Sequence, residues 1–337
     1  MKLNQLENRR KKIVLWLGGI LGVLAVLLLS GFGWQTAVST QTHTNYPPPG
    51  NLIAVDCHTM HLYCIGEGSP TVVLESGLGE TLLNWSKVQT ETAVFTRTCS
   101  YDRAGFGWSE PVDDPVFSPQ VADMLHTLLQ NAGESAPYVL VGHSAGGIHV
   151  RNFAHQYPND VAGIVLVDSS HDNQRAEDPA EGNNPLLTLC QAIAPFGIVR
   201  ALNLAEEGAD ANPHLTAEQQ NTLIALTNQT HFCHATANEE TAADTDMRQP
   251  HLKPLGDLHL TVLTATQTVN QLADEMPPEL IAQVNELWTA KQLELVALST
   301  NSTQILATES AHYIQYDQPE LVIEAIQQMV LLANASE

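Results

Sequence analysis

Gly142-His143-Ser144-Ala145-Gly146 sets a serine hydroxyl between two glycines. The apolar run before it, Tyr138 to Val141, reads as a buried strand, and Ile148 to Tyr157, ended by Pro158, reads as a helix. A Gly-x-Ser-x-Gly unit between strand and helix is a nucleophile elbow. Its turn strains the serine backbone, and glycines at 142 and 146 keep side chains off the neighbouring strand and helix. Ser144 Oγ then stands at the strand's carboxyl end. The bare pattern arises by chance on the order of once in ten chains of this length, so the flanking elements carry its weight against a plain glycine-rich turn. A neutral serine is a weak nucleophile. Its chemistry needs a base to take the proton, a carboxylate to orient that base, and N–H donors for the oxyanion.

The rest of the chain reads as the scaffold for such a site. Asn51 to Cys57 and His61 to Ile65 predict two short strands, and Thr71 to Leu74 a third that enters Glu75-Ser76-Gly77-Leu78-Gly79. That loop can turn backbone N–H groups to the top of the sheet. Asn84 to Ala93 predicts a helix and Arg97 to Tyr101 a strand. The stretch Asp102 to Ser109 reads as a structured loop, with Trp108 a candidate pocket wall. Ser118-Pro119 reads as a helix start, serine as N-cap, with an apolar stripe at Val121, Leu125, Leu128 and Leu129. Val161 to Val167 is a continuous apolar strand ending at Asp168. This alternation implies a parallel sheet covered on both faces, with ligands beyond the strands' carboxyl ends. Between His171 and Gly256 the alternation stops in an acidic segment with helical pieces at Leu186 to Ala194 and Thr216 to Asn228, better explained as an inserted cap than as a loop. Leu260 to Ala265, a helix from Pro278 to Leu298, a last strand Gln304 to Ala307 and a helix from Pro319 to Leu332 follow. The last strand delivers Glu309-Ser310-Ala311-His312.

A formal charge of -23 over 337 residues excludes binding of nucleic-acid phosphates through the protein's field. The N-terminus is the exception, with Arg9 to Lys12 all basic. Ile13 to Phe32 carries no charge and is bracketed by Trp16 and Trp34, which predicts a membrane-spanning helix with the basic end cytoplasmic and the body across the membrane. The competing reading is a signal peptide cleaved near Ala37-Val38-Ser39, giving a secreted body. The division expected is stub and anchor over 1–34, a Thr/Pro-rich tether over 35–50, a core over 51–170 and 257–337, and a helical cap over 171–256. Five cysteines in an exported body permit disulfides and leave one over. No closed zinc site is legible, and no cofactor is expected.

Four blocks together resemble the α/β-hydrolase superfamily: Leu74 to Gly79, Tyr101 to Ser109, Gly142 to Gly147, and His312 to Gln315. The resemblance runs from about Leu52 to the C-terminus. It implies an α/β fold with a mostly parallel eight-stranded sheet and a cap, and a serine, acid, histidine triad in that order. Ser144 matches the nucleophile and His312 the base, with the N–H groups of Leu78 and Ala145 as oxyanion hole. Two departures stand out. The oxyanion loop begins Ser76-Gly77 where many members have His-Gly. The penultimate strand runs into Thr264-Ala265-Thr266-Gln267, without the usual acid. Some members carry the acid one strand earlier, which Asp168 matches; Asp274 or Glu275 is the alternative, and Glu309 lies too close to His312 in sequence. The strand order implied would pair Cys64 with Cys99, and a second disulfide Cys190–Cys233 would staple the cap, leaving Cys57 free. The function expected is a membrane-anchored serine hydrolase acting on a small neutral or cationic carboxylic ester, less readily an amide. An acyltransferase using the same triad, or a non-catalytic ligand-binding receptor of this fold, is the alternative.

Overall fold

The structure, a computed structural model, describes residues 2–175, 184–206, 212–248, 252–267 and 277–335, with side chains from residue 9 onward. Asp274 and Glu275 lie outside the described residues. In chain order the elements are helix α1 (Lys2–Asn45), strands β1 (Asn51–Val55), β2 (His58–Ile65) and β3 (Thr71–Glu75), helix α2 (Ser86–Thr92) and strand β4 (Thr98–Asp102). Next come α3 (Ser118–Ala132), β5 (Tyr138–His143), α4 (Gly146–Gln156) and β6 (Val161–Val167). Helices α5 (Pro185–Ile193), α6 (Ile198–Ala201), α7 (Ala217–Thr227) and α8 (Thr230–Asp246) then precede β7 (His259–Ala265), α9 (Pro278–Val296), β8 (Ser302–Ala307), α10 (Ile314–Asp317) and α11 (Pro319–Ala335).

The eight strands form one sheet in the order β1-β2-β4-β3-β5-β6-β7-β8. β1 and β2 run antiparallel to their neighbours and the rest are parallel. Continuous apolar strands fit this because alternate residues go to opposite faces, both covered. Leu140, Ile164, Leu166 and Val262 pack with Leu125 of α3 and Phe153 of α4; Val139, Val141, Val165 and Val167 pack with Val322, Ile326 and Met329 of α11 on the other face. Each fully buried side chain of this kind contributes about 1.5–3 kcal/mol relative to exposure. Cys64 and Cys99 are register partners on β2 and β4 and are joined by a disulfide; a second joins Cys190 of α5 to Cys233 of α8, and Cys57 is free and exposed.

Two expectations need correction. Residues 35–45 are not a tether: α1 continues unbroken to Asn45. Thr36 and Thr42 hydroxyls bond to carbonyls four residues back, and Gln35 and Thr42 are buried, Gln35 donating to Asn228 O at 2.7 Å. Extending an existing helix costs little once it is nucleated, and tertiary contacts stabilise what composition alone would not. At α3 the N-cap is Phe117, not Ser118; Ser118 instead bonds through both N and Oγ to Asp246 at the end of α8. Among the described residues between β6 and β7, α5 to α8 are joined by turns, and α8 reaches the loops at the sheet's carboxyl end through Glu239.

Candidate active site

Strand register brings the candidate residues to one level. Glu75 of β3 pairs with Gly142 of β5, and His143 pairs with Val167 of β6. Ser76, Ser144 and Asp168 therefore leave three adjacent strands side by side. Val167 pairs with Leu263, and Ala265 with Ala307, which carries the row across β7 and β8 to the loop that holds His312.

Ser144 has φ +52, the left-handed backbone that an elbow demands. The turn tolerates no Cβ at its glycines. One added at Gly142 would lie 2.7 Å from Gly146 O, and one at Gly146 would lie 2.5 Å from Ser76 O. Asp168 also has a positive φ, +42, and is wholly buried. Its Oδ2 lies 2.7 Å from His312 Nδ1, while Oδ1 accepts from Ala265 N at 3.0 Å and Trp288 Nε1 at 2.9 Å. The end of β7, where no acid occurs, thus supplies a backbone donor to the acid of β6. The His312 ring is partly exposed, and its Nε2 has no hydrogen-bond partner among the described residues. Ser144 Oγ and His312 are not hydrogen-bonded to each other here; such contacts often tighten only with substrate bound. The Leu78 side chain packs against a cluster containing Ala145 and Ile148.

Two buried ionic networks brace this constellation, and the sequence reading missed both. His143 places Nδ1 3.2 Å from Glu80 Oε1 and Nε2 3.1 Å from the His312 carbonyl, which holds the His312 loop against β5. Burial alone would raise the Glu80 pKa, but His143 and the Gly77 N–H hold it below the ordinary value. Burial alone would lower His143, but Glu80, the His312 carbonyl and Asp168 raise it. The second network centres on Arg103, whose guanidinium bonds Glu75 Oε1 at 2.6 Å, the carbonyls of Ser76 and Gly77, and Glu239 Oε1 of α8 at 2.6 Å. Glu239 Oε2 in turn accepts from Gly79 N at 2.6 Å. Tyr101 OH donates to Glu75, and His149 faces it. Burial would raise Glu75, but His149, Arg103 and Tyr101 hold it low. Arg103 and Glu239 together fasten the Glu75–Gly79 loop from below and from the cap side.

Trp108 does not wall this site. Its indole N–H donates to Tyr46 O, and the ring packs with Leu82, Leu83, Leu215 and Leu226. Asp102 beside it is held by His61, Leu82 N and Trp108 N, a structural role.

The Glu80–His143 pair makes a pH prediction. A lowered carboxylate pKa stabilises above its unfolded value near 4.5 and loses that contribution as pH falls through the folded value. A raised histidine pKa stabilises fully below 6.5 and loses it as pH rises through the folded value. The melting temperature of the wild type should therefore exceed that of Glu80→Gln most between pH 4.5 and 6.5. The gap should shrink on both sides, at about 2–4 °C per kcal/mol. A pH-independent gap in thermal scans would contradict a charged pair.

A family profile for the alpha/beta hydrolase fold matches residues 70–189. An uncharacterized protein of Schizosaccharomyces pombe is 31% identical over 183 residues, covering 45% of this chain and 34% of that protein. The uncharacterized protein YqjL of Bacillus subtilis is 26% identical over 273 residues, covering 80% of this chain and 86% of its own length. Against three relatives that share 31–34% identity, the chain spans 20–37% of their length. Among solved structures, a thermophilic esterase from Thermogutta terrifontis superposes with a TM-score of 0.61 at 18% identity, covering 84% of this chain and 98% of that one. With the strand order and the strained serine between β5 and α4, these matches show that the chain has the α/β-hydrolase fold.

Proposed function

We propose that the chain is a membrane-anchored serine hydrolase that cleaves a carboxylic ester through an acyl-enzyme. The observation that carries the reading is the 2.7 Å contact between Asp168, buried at the end of β6 next to the strand that delivers left-handed Ser144, and Nδ1 of His312 in the loop after β8. In the proposed step, His312 Nε2 takes the Ser144 proton as Oγ adds to the ester carbonyl, and the N–H groups of Leu78 and Ala145 receive the oxyanion. Collapse returns that proton to the leaving alkoxide and leaves the acyl group on Oγ. Water, deprotonated by the same nitrogen, then releases the acid. Asp168 keeps the Nδ1 proton in place and balances the imidazolium.

The anchor is α1, in which 9–45 is long and apolar enough to cross a membrane. Basic residues at Arg9 to Lys12 favour a cytoplasmic N-terminus with the body on the other side, and two disulfides suit that compartment. The acidic body disfavours anionic substrates.

The test is labelling of the full chain in detergent by a fluorophosphonate probe. Wild type should label, and Ser144→Ala and His312→Ala should reduce labelling to background. Failure of a folded wild type to label would favour a ligand-binding role for the same fold.

A further inference from the structure

Contacts along α1 are ordered. Leaving the apolar span, the helix meets the cap segment first: Gly31 lies against the Phe196 carbonyl, Trp34 against Gly197, and Gln35 bonds Asn228 O and receives Arg200 Nε. Just past the helix end the chain meets the core, where Tyr46 O accepts from Trp108 and Pro49 O from His61. At 1.5 Å per residue, Gly31 and Tyr46 are separated by about 22 Å along the axis. The Phe196–Gly197 turn is thus level with the last turn of the apolar stretch, and the cap lies between the membrane end of α1 and the sheet.

The segment that makes this contact is itself unlike the rest of an acidic chain. From Asn184 to Ala205 the only charged residue is Arg200, which is committed to Gln35 and Asn228. It exposes four leucines: Leu186 and Leu189, three apart and so on one face of α5, at 72% and 53%, and Leu202 and Leu204 at 61% and 56%. Single exposed leucines are ordinary, but here two pairs flank the Phe196–Gly197 turn that packs against α1, on a segment nearly free of charge.

We infer that this leucine face of the cap, Leu186, Leu189, Leu202 and Leu204, rests in the headgroup and acyl boundary of the bilayer that α1 crosses. The inference rests on the anchor reading of α1. The partner is lipid rather than protein because the Phe196–Gly197 turn between the two leucine pairs packs at the level where α1 leaves its apolar stretch, and an apolar helix face at that level lies in the interface plane about 5–10 Å deep. The disulfide Cys190–Cys233 ties α5 to α8 and so couples the immersed face to the helix that carries Glu239.

The experiment uses the full chain in phosphatidylcholine vesicles, with Cys57→Ser as background and a bimane fluorophore at Leu186→Cys, Leu204→Cys, Leu21→Cys within the apolar stretch, or Val94→Cys, exposed just before β4. Quenching by nitroxide-bearing lipid is compared with quenching by aqueous iodide. The expected result is several-fold stronger lipid quenching at positions 186 and 204 than at 94, with iodide showing the reverse order. Lipid quenching at 21 with free iodide access at 186 and 204 would overturn the inference and leave the anchor standing. No lipid quenching at 21 would overturn the anchor and the inference with it. Labels at 186 and 204 shielded from both quenchers would show the face covered by protein, which also overturns it.

Discussion

Asparagine in place of Asp168 is expected to lower kcat/KM about 10⁴-fold while leaving the fold intact. The reason lies in what surrounds the carboxylate. Oδ1 accepts from two fixed donors, Ala265 N and Trp288 Nε1, so an amide at this position must keep its oxygen there. Its NH₂ then faces His312 Nδ1, which must accept, and the imidazole proton moves to Nε2. A base protonated at Nε2 does not take the Ser144 proton. The same variant should label with fluorophosphonate far more slowly than wild type, with an unchanged melting profile. Wild-type turnover in Asp168→Asn would return the acid's role to the alternatives at Asp274 or Glu275.

Arg103→Met is expected to destabilise the fold by about 3–5 kcal/mol at neutral pH, the usual cost of removing one partner from a buried ionic cluster. Glu75 is fully buried and Glu239 nearly so; without the guanidinium they lack their shared counter-charge, and the carbonyls of Ser76 and Gly77 lose a donor. The sign of the pH dependence should change as well. In the wild type Glu75 is held below its ordinary value, so it stabilises above pH 4.5 and that contribution fades as pH falls. In the variant, burial prevails and pushes the carboxyl up, so protonation relieves the unpaired charge and the deficit against wild type narrows on acidification. Urea unfolding at neutral and mildly acidic pH measures both effects. A constant deficit would mean that the cluster acts through packing alone.

The elbow, the five central strands and the histidine loop were legible because they depend on local patterns: apolar runs of strand length, glycines that must admit backbone, and proline at helix starts. Asp168 was legible as a carboxylate at a strand end. Its second and third donors were not, since Trp288 is 120 residues away on a helix whose rotation no local pattern sets. Arg103 and Glu239 meet across 136 residues, and only the folding of the helices after β6 over the sheet brings them together. Glu80 and His143 looked like ordinary polar residues in a loop and a motif; their pairing follows from the adjacency of β3 and β5. Residues 35–45 misled because threonine, serine and glutamine suggest a linker when read without the surface that binds them.

A chain of 16 residues without structure would let a body wander over roughly 20 Å about its attachment point and present any side to the bilayer. The unbroken α1, packed along its upper third, removes that freedom. Tilt and spin of the single helix become tilt and spin of the whole molecule. With the anchoring proposed above, the carboxyl end of the sheet, and Ser144 with it, would keep one heading relative to the lipid plane.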